Sequence, residues 1–134
     1  TKDSYMRVLA EYDNFRKRSQ REKESAYNDS KASTLALLLP VIDNFDRAID
    51  NKTDDIEAYR KGIEMTYNQL KDILNKADVV AFGEIGEEFN PEIHNAVMTI
   101  ENPDLPENSI AAVFEKGYKM GDRVLRFASV QITN

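Results

Sequence analysis

Over the first 39 residues the apolar side chains Tyr5, Val8, Tyr12 and Phe15 recur at steps of three and four, a spacing that places them on one narrow stripe of a helix. No Gly or Pro interrupts Thr1 to Leu39, and most of these residues enter helices readily. One helix is therefore predicted over 1–39, more than about 50 Å long at ~1.5 Å per residue. A stripe this narrow suits a partner helix better than a globular core, so the segment reads as a self-associating element. The same steps continue through Ser19, Glu22, Ala26, Asp29 and Ser33. These positions pair only loosely, so the middle of the helix depends on its ends or on a second copy for support.

Pro40 follows the apolar run Leu35 to Leu39 and should kink or end the long helix, because proline removes a backbone donor and crowds the preceding turn. Helical periodicity then resumes. Leu38, Ile42, Phe45 and Ile49 share one face, whereas Asp43, Asp46, Arg47 and Asp50 point elsewhere. Asn51 to Thr53 form a turn. Asp54, with Glu57 three residues on, resembles a capping box and predicts a helix start. The helix that follows carries Ile56, Tyr59, Ile63, Leu70, Ile73 and Leu74. So short a loop implies antiparallel helices. Two helices bury too little by themselves, so a symmetric four-helix bundle from two chains is expected.

From Val79 onward, short runs of Val, Ile, Phe and Thr are separated by Gly, Pro and Asn, the pattern of strands and turns. Asn90 and Pro91 suit a brief helical turn. Strands are predicted at Ala96 to Ile100, Ile110 to Lys116 and Val124 to Thr133, the last two joined by a turn at Gly117 to Asp122. The fold class expected is α+β in three parts: a long dimerising helix (1–39), a helical pair (40–77) and a small antiparallel β head (78–134).

Charge sharpens this division. Residues 1–39 carry eight Lys/Arg against six Asp/Glu, and the remainder ten against eighteen. A negative body repels phosphate backbones and argues against general nucleic-acid binding. The chain has no Cys, hence no disulfide framework and no thiolate metal site; a reducing, cytoplasmic setting is the expectation. No apolar run approaches the ~20 residues that span a bilayer, and the start lacks a signal-peptide layout.

Candidate chemistry is sparse. His94 is the only histidine and is expected at a surface or turn, since carboxylates such as Glu92 would have to supply most ligands of any metal site there. Glu87 and Glu88 are adjacent and read as solvated charge. The glycines at 83, 86, 117 and 121 are followed by no Lys-Ser or Lys-Thr and do not form a phosphate-cradling loop. The basic run Arg16, Lys17 and Arg18, with Arg21 and Lys23, spreads around the helix among Glu22 and Glu24 and reads as a solvated surface. Gly62 lies inside a predicted helix, where glycine costs roughly 1 kcal/mol against alanine. Close approach of another chain would explain it, as would simple tolerance.

Five blocks of the sequence resemble the GrpE family, the nucleotide exchange factors of DnaK-type chaperones. They are EYDNFRKR from Glu11, LLPVIDNFDRA from Leu38, GIEM from Gly62, FNPEIHNA from Phe89, and Gly117-Tyr118 with GDRVLR from Gly121. The resemblance implies a homodimer with paired long helices, a four-helix bundle and two β heads, one of which docks on the ATPase domain of a DnaK-type chaperone and opens its nucleotide cleft. It implies no enzymatic step, no cofactor, no metal and no direct nucleotide binding. The chaperone-facing positions it points to are Arg123, Phe114, Pro91 and Ile132 in the head and Gly62 in the bundle. The dimer interface would use Tyr5, Val8, Tyr12, Phe15, Leu38, Ile42, Phe45, Ile63 and Leu70. A structural coiled-coil tether without exchange activity is the alternative that periodicity and composition leave open.

Overall fold

The computed structural model describes residues 1–134, which divide into two compact units, Thr1–Thr66 and Tyr67–Asn134. The first helix, α1, runs Lys2–Ala36, and the Thr1 side chain caps it by accepting from the Ser4 N–H. It buries no residue. The helix stops three residues short of the expected Leu39. Leu37 and Leu38 form a turn, donating to the Thr34 and Leu35 carbonyls, and α2 then begins and runs Leu39–Asp50. Pro40 therefore lies in the first turn of α2, where its missing N–H has no helical acceptor to serve. The chain breaks before the proline rather than at it.

The next helix, α3, spans Ile56–Lys76. Its cap is Asp55 rather than the expected Asp54: Asp55 Oδ1 accepts from the N–H groups of Glu57 and Ala58 at 3.1 and 3.3 Å. Thr53 Oγ1 in turn accepts from the Asp55 N–H at 3.1 Å. This hydroxyl fixes the register and moves the cap one residue along. In α2 the buried residue is Val41, flanked on its face by half-buried Asn44 and Ala48. The stripe Ile42, Phe45 and Ile49 stays exposed.

The head contains six strands where three were expected. These are β1 (Val79–Phe82), β2 (His94–Ile100), β3 (Ile110–Glu115), β4 (Gly117–Met120), β5 (Arg123–Arg126) and β6 (Ala128–Thr133). They form two three-stranded sheets, ordered β1-β4-β5 and β2-β6-β3. Two expectations are corrected. Gly117 to Met120 is a strand paired on both sides rather than part of a turn, and the turn shrinks to Gly121 and Asp122. The expected strand from Val124 to Thr133 breaks at Phe127, where the chain leaves one sheet for the other. The pairing is mostly antiparallel, but β2 and β6 run parallel.

Ile110, Ala128 and Val130 are fully buried, and Phe82, Phe89, Val113 and Ile132 pack around them. Phe82 comes from the first sheet and the other strand residues from the second, so the two sheets share one core. Gly117 makes this possible, because a Cβ there would collide with the Phe82 ring. At the tight end of the β4–β5 hairpin Gly121 takes φ +57°, a left-handed conformation that glycine adopts without steric cost.

Candidate functional site

The head presents three of the expected contact residues to solvent. Arg123 opens β5 directly after the Gly121-Asp122 turn and pairs with Met120. It is exposed, and its guanidinium has no ion-pair or hydrogen-bond partner in the chain. At the other end of β5, Arg126 donates to the Lys116 carbonyl from Nε and Nη2 at 3.1 and 2.8 Å and lies 5.3 Å from the Tyr118 ring centroid. This clamp ties β5 to the segment just after Phe114. Arg123 is three residues away along the strand, roughly 10 Å.

Phe114 is 54% exposed because it occupies a bulge: Val113 and Glu115 pair with Val130 and Ser129, and Phe114 between them pairs with nothing. A bulge redirects a side chain out of the alternation of its strand. Val97 occupies the corresponding irregularity in β2, between the paired Ala96 and Met98. Val97 and Met98 are also about half exposed. Sequence reasoning passed over both, since strand alternation alone cannot reveal where a register slips. Ile132 differs from the other head candidates. It is half-buried, pairs with Ile110 and Thr99, and packs on the core.

Pro91 is exposed at the apex of a tightly bonded turn. The Asn90 carbonyl accepts from the N–H groups of Ile93 and His94 at 3.1 and 2.8 Å, and Asn90 Oδ1 accepts from the Glu92 N–H at 3.0 Å. The Asn90 N–H donates to His94 Nδ1 at 2.9 Å. His94 was expected at a surface or turn; it closes the Asn90 turn but is buried, 3% exposed, with the rings of Phe82 and Phe89 at centroid distances of 6.1 and 6.0 Å. No motif within its own segment announces this burial, because Phe82 arrives from a strand twelve residues away.

Gly62 lies in α3, where an added Cβ would meet nothing within 4 Å; the Thr66 hydroxyl donates to its carbonyl at 3.0 Å. It borders an open concavity with Asn44, Arg47, Ala48, Asn51, Met65 and Thr66, so α2 and α3 face each other here. Along α1, Tyr5, Val8, Tyr12 and Phe15 are 55 to 64% exposed. Ile42, Phe45 and Ile63 are exposed as well, and Leu38 and Leu70 are half-buried.

Asp13 sits among cations on α1. The hydrogen bond and charge of Lys17, 3.1 Å away, with a smaller contribution from Arg16 at 3.2 Å, hold its carboxyl below the ordinary value. No three of the chain's His, Asp and Glu side chains are grouped to hold a metal ion. No helix is long and apolar enough to cross a membrane.

Comparison with known proteins bears on the whole chain. The family model GrpE matches residues 1–134. The chain is 44% identical over 134 residues to Protein GrpE of Clostridium beijerinckii, covering all of this chain and 64% of that protein. It is 43% identical over 136 residues to Protein GrpE of Clostridium perfringens, covering 98% of this chain and 62% of that one. Against Protein GrpE of Carboxydothermus hydrogenoformans it is 43% identical over 129 residues, or 96% of this chain and 66% of the relative. The chain thus spans a little under two thirds of the length of these relatives.

Proposed function

The chain belongs to the GrpE family, and from that premise we propose that it is a nucleotide exchange factor for a DnaK-type chaperone. It docks on the chaperone's ATPase domain, favours the open form of the nucleotide cleft and so releases ADP. ATP then enters and substrate protein leaves. The factor makes and breaks no bond itself. It acts by binding one conformation of its partner better than the other. Moving a cleft from almost wholly closed to almost wholly open takes a difference of about 5.5 kcal/mol in affinity.

The family match over all 134 residues carries this reading. The head's surface supports it: an unpaired guanidinium at Arg123, clamped by way of Arg126 to the segment beside exposed Phe114, is the kind of contact that dominates protein interfaces. In this reading Arg123, Phe114 and Pro91 touch the chaperone, Ile132 supports them from beneath, and Gly62 lets a partner backbone approach α3. Two copies associate through the α1 stripe and through Leu38, Ile42, Phe45, Ile63 and Leu70, giving a cytoplasmic homodimer. Residues 1–39 serve as its dimerising helix, 40–77 as its bundle and 78–134 as its docking head.

Release of labelled ADP from a cognate DnaK-type chaperone tests the proposal. Stoichiometric protein should accelerate release, and Arg123→Ala should weaken the effect by roughly 30-fold or more, the scale of an interface hot spot. Unchanged release with the native protein would leave the tether as the surviving reading. Undiminished acceleration by Arg123→Ala would remove Arg123 from the docking surface.

A further inference from the structure

The exposed Pro91 turn is built on a buried side chain that no role assigned above uses. His94 Nδ1 accepts the Asn90 N–H at 2.9 Å, so Nδ1 carries no proton and the neutral ring has its hydrogen on Nε2. That Nε2–H is buried without a partner, and Glu87 Oε2 stands 3.8 Å away, beyond hydrogen-bond reach. The ring cannot swing toward a better partner, because Phe82 and Phe89 flank it and β2–β6 pairing fixes its backbone opposite Ala128. The base of the turn is held too: the Ala128 N–H donates to the Ile93 carbonyl at 3.1 Å.

A buried donor left unmatched is costly, so the arrangement gives up one hydrogen bond at Nε2 while keeping the one at Nδ1. The bond that is kept joins the core to Asn90, the residue that precedes Pro91 and whose carbonyl and side chain close the turn. We infer that His94 is a positioning residue for the docking surface: through Nδ1 it holds Asn90, and with it the Pro91 turn, in the binding conformation before the partner arrives. This inference rests on the exchange-factor reading, in which Pro91 touches the chaperone. Its energetic basis is pre-organisation, since a turn already fixed loses less freedom on binding. The loss would appear in the concentration of factor needed, because a loosened turn still reaches the bound geometry once docked.

The test separates the two ring nitrogens. In His94→Asn the side-chain oxygen occupies the place of Nδ1 and can still accept from Asn90. In His94→Gln the amide reaches the place of Nε2 instead. Both variants are polar and of similar bulk. We expect His94→Asn to reach half-maximal ADP release at a factor concentration within about threefold of native, and His94→Gln to need at least about tenfold more, equivalent to ~1.4 kcal/mol, with the maximal rate preserved. Nitrogen NMR should show the Nε2–H tautomer in the native protein. The Asn90 amide should be protected from hydrogen exchange in the native protein and His94→Asn, and unprotected in His94→Gln. Equal behaviour of the two variants, in either direction, overturns the inference, as does the Nδ1–H tautomer. If the native protein itself fails to release ADP, the exchange-factor reading falls and the docking role of His94 falls with it, while the amide data still decide whether the histidine pins the turn.

Discussion

The two units solve the problem of apolar surface in opposite ways. In Tyr67–Asn134 two small sheets close on each other over Ile110, Ala128 and Val130, which have no exposed surface at all. In Thr1–Thr66 a 35-residue helix buries nothing, and its apolar stripe, like that of α2, faces water. Isolated helices draw most of their stability from a packed face. The head thus has its core within one chain, whereas the helical unit leaves its apolar stripe exposed, the surface through which the proposed homodimer would form. A chain can be locally well formed, with caps at Thr1 and Asp55 in place, and still depend on a second surface.

The strongest way to break this contrast is to put charge into the α1 stripe. Tyr12→Asp combined with Phe15→Asp should abolish association in sedimentation. Because α1 holds about half of the helical residues, it should also remove up to about half of the helix signal in circular dichroism, while head resonances in NMR stay in place. A monomer with undiminished helix would show that α1 supports itself. Next in size is Ile110→Ala. It should cost the head about 2–5 kcal/mol in urea unfolding and leave the helix signal unchanged. A smaller effect of opposite sign is expected at Gly62. Its Cβ position is open, so Gly62→Ala should stabilise α3 by about 0.5–1 kcal/mol in thermal unfolding; destabilisation would mean that another chain already fills that space. The smallest effect belongs to Asp13. Its folded carboxyl titrates below the ordinary 3.8, so its contribution to α1 is whole above that value and fades as pH falls through the lower folded one. Lys17→Gln should return the carboxyl resonance of Asp13 toward the ordinary range, and salt should weaken the pair because it is exposed.

Most of the helical architecture was legible in the residues, because it follows from local periodicity and from one proline. The boundaries moved where a single local bond decided them. Thr53 Oγ1 accepts from the Asp55 N–H and makes Asp55 the cap instead of Asp54. Strand content was legible in the head, but its partition was not. Gly117 to Met120 reads as turn because of its glycine, yet it is a strand there because that glycine is the place over which the Phe82 ring fits. The break at Phe127 comes from partners in two different sheets, and no residue near 127 announces it. Of the candidate contacts, which the family resemblance pointed to, Pro91 lies in the turn expected at Asn90 and Pro91, and Arg123 opens β5 directly after the Gly121-Asp122 turn. The exposure of Phe114 needs the β3 bulge, and the burial of His94 needs rings contributed from elsewhere in the head.

The central place of β6 between β2 and β3 orders events during synthesis. The central strand of the second sheet, Ala128–Thr133, is the last of the six strands to be made, and Ala128 and Val130 are two of the three fully buried residues. A nascent chain that has reached Gly117 or even Arg126 therefore has β2 and β3 in hand and nothing to lay between them. A ribosome delivers ~5–20 residues per second, so the α1 stripe is available to another chain for several seconds before the head can close. In the proposed homodimer, pairing of helices between neighbouring nascent chains would thus precede the folding of either head.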